Sequence, residues 1–383
     1  MIANSIKMRI GIITLPLHNN YGGILQAYAL QKVLQCLGHD AVVIDKSRYI
    51  KLPILSLNRY VVYLKRLVHK ILFDKHLPVR WDKAANDKVK AISTYTDQFL
   101  HKYISRHEVN FDYSNISQGD YDAFVVGSDQ VWRPMYFGQN IISNAYLSFA
   151  KKWNVKRIAY AASFGTEEWE YAENQEVACK ELIKQFDAVS VRESSAVKLC
   201  KEHLGTEALH VLDPTMLLDA IDYIKLFQDA NTPQSPGTLM CYVLDHNEDK
   251  QKVISFVEQE LSITAFSVNS KYEDPNAPLE ERIQPPVETW LRGFYDADFV
   301  VTDSFHACVF SILFEKPFIV YGNKDRGMAR FHSLLSIFGL ENRLIINSAT
   351  AQKVIAEPID WNAVNVRKKE WQEKSLNFLK NNL

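Results

Sequence analysis

The stretch that decides the fold is MRIGIITLPLHNNYGGILQAYALQKVLQCLG, residues 8–38, followed by AVVID at 41–45. Ile10 to Ile13 make a short apolar run, as expected of a strand buried on both faces. From Ile24 the spacing becomes that of a helix ending at Gly38, and a second strand follows, so the stretch reads as a β-α-β unit. Between strand and helix stand His18, Asn19, Asn20, Gly22 and Gly23. Two adjacent residues without Cβ suit a turn too sharp for a side chain, or a backbone that something must approach closely. The expectation here is that Gly22 and Gly23 leave room for a ligand.

The same alternation recurs in YDAFVVGSD (121–129), RIAYAASFG (157–165), DAVSVRESS (187–195), ALHVLDP (208–214), TLMCYVL (238–244), SITAFSV (262–268), ADFVVTDS (297–304) and KPFIVYGN (316–323). Strands and helices in turn imply parallel sheets covered on both faces. The chain of 383 residues is long for one core and suits two α/β, Rossmann-like domains. Asp213-Pro214 ends a strand pattern, and proline disfavours helix at the residue before it. The expected domains are therefore 1–212 and 213–383, the second closing with a C-terminal helix.

Composition is ordinary: 47% hydrophobic, 23% charged, formal net charge -1. Bulk charge points away from nucleic acid as a partner. The five cysteines, Cys36, Cys179, Cys200, Cys241 and Cys308, form no CxxC pair and read as reduced, buried small hydrophobes. No long apolar segment reads as a signal or a membrane span, so the expected location is cytoplasmic.

From about residue 46 to 120 the alternation stops. Residues 46–90 hold twelve Lys or Arg against three Asp, a basic insert in a nearly neutral protein. On a helical projection Arg59, Lys65, Arg66, His69 and Lys70 share one sector; Tyr60, Leu64, Leu67, Val68, Ile71 and Leu72 face the other way, and Val62 breaks the pattern. The plainer expectation is a helix with its apolar face packed on the domain. The alternative is a basic face that meets anionic lipid at the inner face of a membrane, or a diphosphate-bearing substrate.

In open parallel sheets ligands bind beyond the carboxyl ends of the strands. There the sequence places Asn19, Asn20, Gly22 and Gly23; then Ser128, Asp129, Gln130 and Trp132; then Ser163, Arg192, Asp303, Ser304 and His306. Singly, each has a structural account, as turn, cap or core histidine. Their clustering at strand ends in both halves points instead to a cleft between two domains. Arg192 and His306 suggest an anionic ligand, since a buried anion needs fixed cations and helix N–H groups to replace its hydration. TDSFHACVFSILFEKP reads as a helix capped by Asp303 or Ser304, which puts His306 in its first turn. No HExxH or Cys/His cluster nominates a metal site.

The ordered set NNYGGILQAYAL, YDAFVVGSDQVW, VSVRESSAVKL, VLDPTMLL and VVTDSFHACVFSILFEKPFIVYGN resembles the polysaccharide pyruvyl transferase family over roughly residues 9–345. The resemblance implies a glycosyltransferase-B-like fold, two Rossmann-like domains facing across a cleft that holds the active site. It implies transfer of the enolpyruvyl group of phosphoenolpyruvate, as co-substrate without a cofactor, to a sugar of a polysaccharide or its precursor, giving a pyruvate ketal and phosphate. By similarity His306 is the proton donor and Arg192 binds the donor. Some members carry an arginine two residues before this histidine; here that residue is Ser304, so Lys324, Arg326 or Arg330 is expected to supply the missing charge. Asn19, Asn20, Gly22, Gly23, Ser128, Asp129, Gln130 and Trp132 are the expected acceptor side, with Asp129 as the group that takes the hydroxyl proton and Trp132 as a face for the sugar ring. A lipid-linked oligosaccharide acceptor would suit the basic insert. A nucleotide-sugar glycosyltransferase and a non-catalytic glycan-binding protein are the competing expectations.

Overall fold

A computed structural model describes residues 7–50, 57–110, 112–322 and 327–383. The apolar runs form twelve strands: β1 (Arg9–Ile13), β2 (Asp40–Lys46), β3 (Arg106–Val109), β4 (Ala123–Val126), β5 (Lys156–Ala162), β6 (Ala188–Val191), β7 (Leu209–His210), β8 (Leu239–Tyr242), β9 (Ala265–Phe266), β10 (Phe299–Thr302), β11 (Phe318–Tyr321) and β12 (Leu344–Ile345). They make a seven-stranded sheet, β3-β2-β1-β4-β5-β6-β7, and a five-stranded sheet, β12-β11-β10-β8-β9. The strand pairings are parallel throughout, for example Ile10 beside Ala41 and Ala123, and Val300 beside Met240 and Phe318. The protein is therefore an α/β fold of two Rossmann-like lobes. Parallel strands sandwiched between helices must be apolar on both faces, and Ala123–Val126 are accordingly fully buried.

The order of strands reverses once in each sheet, between β1 and β4 and between β8 and β10. At such a point neighbouring crossovers run to opposite faces and leave a crevice at the carboxyl edge. Helix α1 (Tyr21–Cys36) starts at the first reversal, capped by the Asn20 side chain, which accepts a hydrogen bond from the Gly23 N–H at 3.2 Å. Its first residue, Tyr21, reaches into the other lobe: the hydroxyl donates to the Pro285 carbonyl at 2.8 Å, and the ring centroid lies 5.5 Å from that of Trp290 and 6.1 Å from that of Tyr242. One apolar core runs without a break from Ile10 through Tyr21 to Trp290 and Phe310. The lobes are thus held face to face by buried contact.

The C-terminal helix (Trp361–Asn382) belongs to the second half of the chain yet lies against the first lobe. Ser375 Oγ accepts from the Leu212 N–H at 3.0 Å, Gln372 donates to the Met216 carbonyl at 2.7 Å, and Phe378 lies 6.2 Å from Tyr160, ring to ring.

The basic insert differs from the expectation in two ways. It contains three helices, α2 (Leu57–Leu72), α3 (Trp81–Ile92) and α4 (Thr94–Tyr103), but the alternation resumes before residue 120, because β3 pairs with β2 as an edge strand. An edge strand with one free side tolerates the charged sequence RHEV, which no apolar pattern reveals. And α2 does not pack its apolar face on the domain: Leu64, Ile71 and Leu72 are each more than three-fifths exposed. Among the cysteines, Cys36 is exposed rather than buried; the other four are buried. Among the described residues no helix is long and apolar enough to cross a membrane.

Candidate active site

Both reversals open on one cavity of about 690 Å³ between the lobes. From the first lobe it is lined by Asn20 after β1 and by Asp129 and Gln130 after β4; from the second, by Leu244 after β8 and by Asp303, Ser304 and His306 after β10, with Arg330 nearby. The turn after β4 aims its acid inward through a left-handed backbone at Asp129 (φ 65°), a conformation that Asp tolerates better than most residues.

His306 sits in the first turn of the helix Phe305–Leu313, whose apolar body is wholly buried behind β10. Its ring packs directly on α1: a Cβ built on Gly22 would fall 2.1 Å from His306 Nδ1. Gly22 therefore makes room for an imidazole of the opposite lobe, not for a ligand. Gly23 differs, since a Cβ there would meet its nearest neighbours, Asn20 and Asp129, at 3.7–3.8 Å, ordinary contact.

Behind His306 lies Asp213. Its Oδ2 is 3.6 Å from His306 Nε2 and 2.7 Å from Arg192 Nη1, and accepts from Ser128 Oγ at 3.3 Å. The other oxygen accepts from the Thr215 N–H and hydroxyl at 3.0 and 2.7 Å. Burial opposes the charge on Asp213, but His306 and Arg192 outweigh it and hold the carboxyl well below the usual carboxylate range. Arg192 Nη2 also reaches Asp129 Oδ1 at 3.2 Å, and its Nε lies 3.8 Å from Glu193. Burial would penalise that guanidinium too, yet the three carboxylates raise its pKa far above the ordinary arginine value. Asp129 is likewise held below its usual range, against burial, by Arg192, His306 and Arg330. Glu193 takes a hydrogen bond from Ser163 Oγ, but burial dominates and pushes its carboxyl up.

The predicted residues thus separate into groups. His306, Ser304, Asp129, Gln130, Asn20 and Arg330 face the common cavity. Arg192, expected to bind the donor, does not line it: the residue is 4% exposed, and its guanidinium is engaged by carboxylates and lies 4.5 Å from the centre of the Phe305 ring. Ser128 is fully buried on Asp213. Asn19 is occupied on the insert, accepting from Thr96 Oγ1 at 2.8 Å.

Trp132 is no platform for a sugar. It is fully buried, stacked on Tyr146 at 5.1 Å, with its indole N–H on the Ala145 carbonyl, because the turn after β4 carries it back into the core. Aromatic rings at the cavity belong instead to Tyr136, Tyr242, Tyr272 and Phe305.

Asp303 is not a helix cap but a brace: it accepts from the N–H groups of Leu244 and Asp245 at 2.7 and 3.0 Å and pairs with Lys250 at 2.7 Å. Ser304 holds the N-cap position without a side-chain bond, so the first N–H groups of this helix face the cavity uncovered by their own cap.

Arg330 is buried, with its pKa pushed down to about 10 by burial and by Arg192, and so stays charged at neutral pH. Lys324 and Arg326 lie outside the described residues. Among the described residues no three His, Cys, Asp or Glu side chains group so as to hold a metal ion.

Sequence reading overlooked Asp213, taking it only as the mark of the crossing between lobes. Its signal was nonetheless the one used elsewhere, a polar residue just past the carboxyl end of a strand, here β7.

Among solved structures the chain is similar to UDP-GlcNAc 2-epimerase from Methanocaldococcus jannaschii (12% identity, TM-score 0.48, covering 98% of this chain and 100% of that one). It is similar also to the S. aureus MnaA-UDP structure (14%, 0.48, 98% and 96%) and to sucrose-phosphate synthase from Thermosynechococcus elongatus (12%, 0.44, 97% and 95%). No curated protein matches the sequence. The sequence model of the polysaccharide pyruvyl transferase family, by contrast, matches residues 20–325, a span that holds His306, Asp213, Arg192, Asp129 and Gly22, and the chain belongs to that family.

Proposed function

We propose that the protein moves the pyruvyl group of phosphoenolpyruvate onto two hydroxyls of an acceptor glycan, forming a pyruvate ketal and releasing phosphate. The observation that carries this reading is the His306 imidazole at the cavity, fixed between Gly22 and the Asp213 carboxylate. Its Nε2 lies 3.6 Å from Asp213 and its Nδ1 packs against Gly22, so the ring is fixed in place where it borders the cavity, and as an imidazolium it has a proton to give. The buried carboxylate balances the charge that the ring carries as a donor.

His306 gives its proton to the methylene carbon, which becomes the methyl group, and the adjacent carbon turns electrophilic. The first hydroxyl adds there and its proton restores the imidazolium. Phosphate leaves as its C–O bond breaks, and the second hydroxyl closes the ketal, its proton departing with phosphate. The uncapped helix N–H groups at Ser304 and the charge of Arg330 suit the donor's phosphate and carboxylate and supply what the serine at this position lacks. Asp129, held below the usual carboxylate range, is a weak base; it orients an acceptor hydroxyl rather than taking its proton. No metal or organic cofactor takes part in this reading. A lipid-linked acceptor, met by a cytoplasmic enzyme at the inner face of the membrane, belongs to the same reading.

The test supplies phosphoenolpyruvate and glycan acceptors with vicinal or 4,6-type hydroxyl pairs and follows phosphate. Release that requires acceptor, and an Arg330→Ala variant whose KM for phosphoenolpyruvate rises about tenfold or more, are expected. Nucleotide release from a panel of nucleotide sugars without phosphate release, or glycan binding with no turnover, would overturn the proposal.

A further inference from the structure

Helix α2 is built inside out. The side turned to the body of the protein carries Arg59, Tyr63 and Arg66: Arg59 pairs with Asp82 at 3.0 Å, Tyr63 donates to the same carboxylate, and Arg66 Nε donates to the Pro78 carbonyl at 2.9 Å. Asp82 itself is buried. The opposite side presents Leu64 (64% exposed), Ile71 (69%) and Leu72 (63%), followed by Phe73 (76%). Nine of the twenty-one exposed large hydrophobic residues among the described ones fall within Tyr60–Phe73, so the apolar surface is concentrated here rather than scattered. A helix normally buries its apolar stripe against the core. Here specific polar bonds hold the reverse orientation, and the stripe stands exposed.

What covers it is indicated by the charge around it. Lys65 and His69 flank the stripe, with Lys75 just beyond the helix, and Asp74 is the acid among them. The surrounding 46–90 segment carries twelve Lys or Arg against three Asp, in a protein whose net charge is -1. An apolar strip bordered by long cationic side chains matches the interface of an anionic bilayer, where methylene stems lie along acyl chains and ammonium groups reach the headgroups. We infer that α2 docks the protein on an anionic membrane surface, with Leu64, Ile71, Leu72 and Phe73 entering the interface and Lys65 and Lys75 against the headgroups. This holds whatever the donor bound in the cleft, so the two proposals fail separately.

The experiment is co-sedimentation of the full chain with vesicles of phosphatidylcholine alone or containing phosphatidylglycerol. Binding to the phosphatidylglycerol vesicles that weakens with salt is expected. The paired substitution Lys65→Gln with Lys75→Gln should lower partitioning about tenfold, as each lysine near the surface adds attraction. Leu64→Glu with Ile71→Glu should lower it further, to background, while thermal unfolding is unchanged because both side chains stand in solvent. Binding that ignores phosphatidylglycerol, or survives both pairs, overturns the inference. So does failure to bind vesicles together with a dimer in solution that Leu64→Glu with Ile71→Glu splits, since the stripe would then belong to a second copy of the chain.

Discussion

The floor of the cleft and the outer face of α2 each hold side chains against their preference for solvent. At that floor Arg192, Asp213 and Asp129 are charged and buried, and the arginine pairs with both carboxylates at 2.7–3.2 Å. On α2 the apolar residues Leu64, Ile71 and Leu72 are exposed. The difference separates two kinds of site. A buried ionic network pairs its charges within the fold and positions chemistry, whereas an exposed apolar stripe calls for something outside. Experiments can break this contrast by showing that the cleft network is dispensable or that the stripe is only a tolerated defect.

The largest effect belongs to the cleft. His306→Gln keeps a polar ring-sized group but no transferable proton, and kcat for phosphate release should fall by about 10²–10⁴, the usual weight of general acid catalysis, with little change in KM for phosphoenolpyruvate. An equal loss in KM alone would make His306 a binding residue. Asp213→Asn should come next: it removes the nearest counter-charge of buried Arg192 and cost about 3–5 kcal/mol in unfolding free energy is typical of a broken buried pair, read by denaturant titration.

The same residue sets an acid limb. The folded Asp213 carboxyl lies below its unfolded value of about 3.9, so its stabilisation is fully present above that pH and is lost as pH falls through the folded value. Asp213→Asn should flatten this limb below pH about 4, and an unchanged limb would place the acid sensitivity elsewhere.

Gly22→Ala is a sharper and smaller probe. The new Cβ would fall on the imidazole, so activity should drop about tenfold to a hundredfold through a displaced His306. Adding His306→Ala should restore the stability lost in Gly22→Ala without restoring activity. Restoration of neither would mean that the glycine serves the turn and not the ring. The smallest expected effect is on α2, where Leu64→Glu with Ile71→Glu should shift unfolding by less than about 0.5 kcal/mol and leave turnover of a water-soluble acceptor intact.

Much of this is legible in the sequence. Parallel sheets followed from apolar runs alternating with helical spacing, and the strand-end rule placed Asp129, Ser304 and His306 at one cavity because a reversal of strand order leaves a crevice there. Trp132 failed the same rule, since proximity in sequence to a strand end does not say which way a turn returns its side chain. Gly22 was recognised as a close approach, but its partner comes from 284 residues along the chain, beyond any local pattern. Asp213 read as punctuation because its partners, Arg192 and His306, lie on different elements.

By itself, then, the sequence determined what depends on neighbours along the chain: strand, helix, the two-sheet class, the family motifs and the amphipathic period of α2. Only the tertiary structure decided which side of α2 faces outward, which cation meets the cavity and which is consumed by carboxylates, and what the space above Gly22 is for. Periodicity fixes which residues share a face, but the direction of that face, and the partner of every buried charge, is set by contacts between segments distant in the chain.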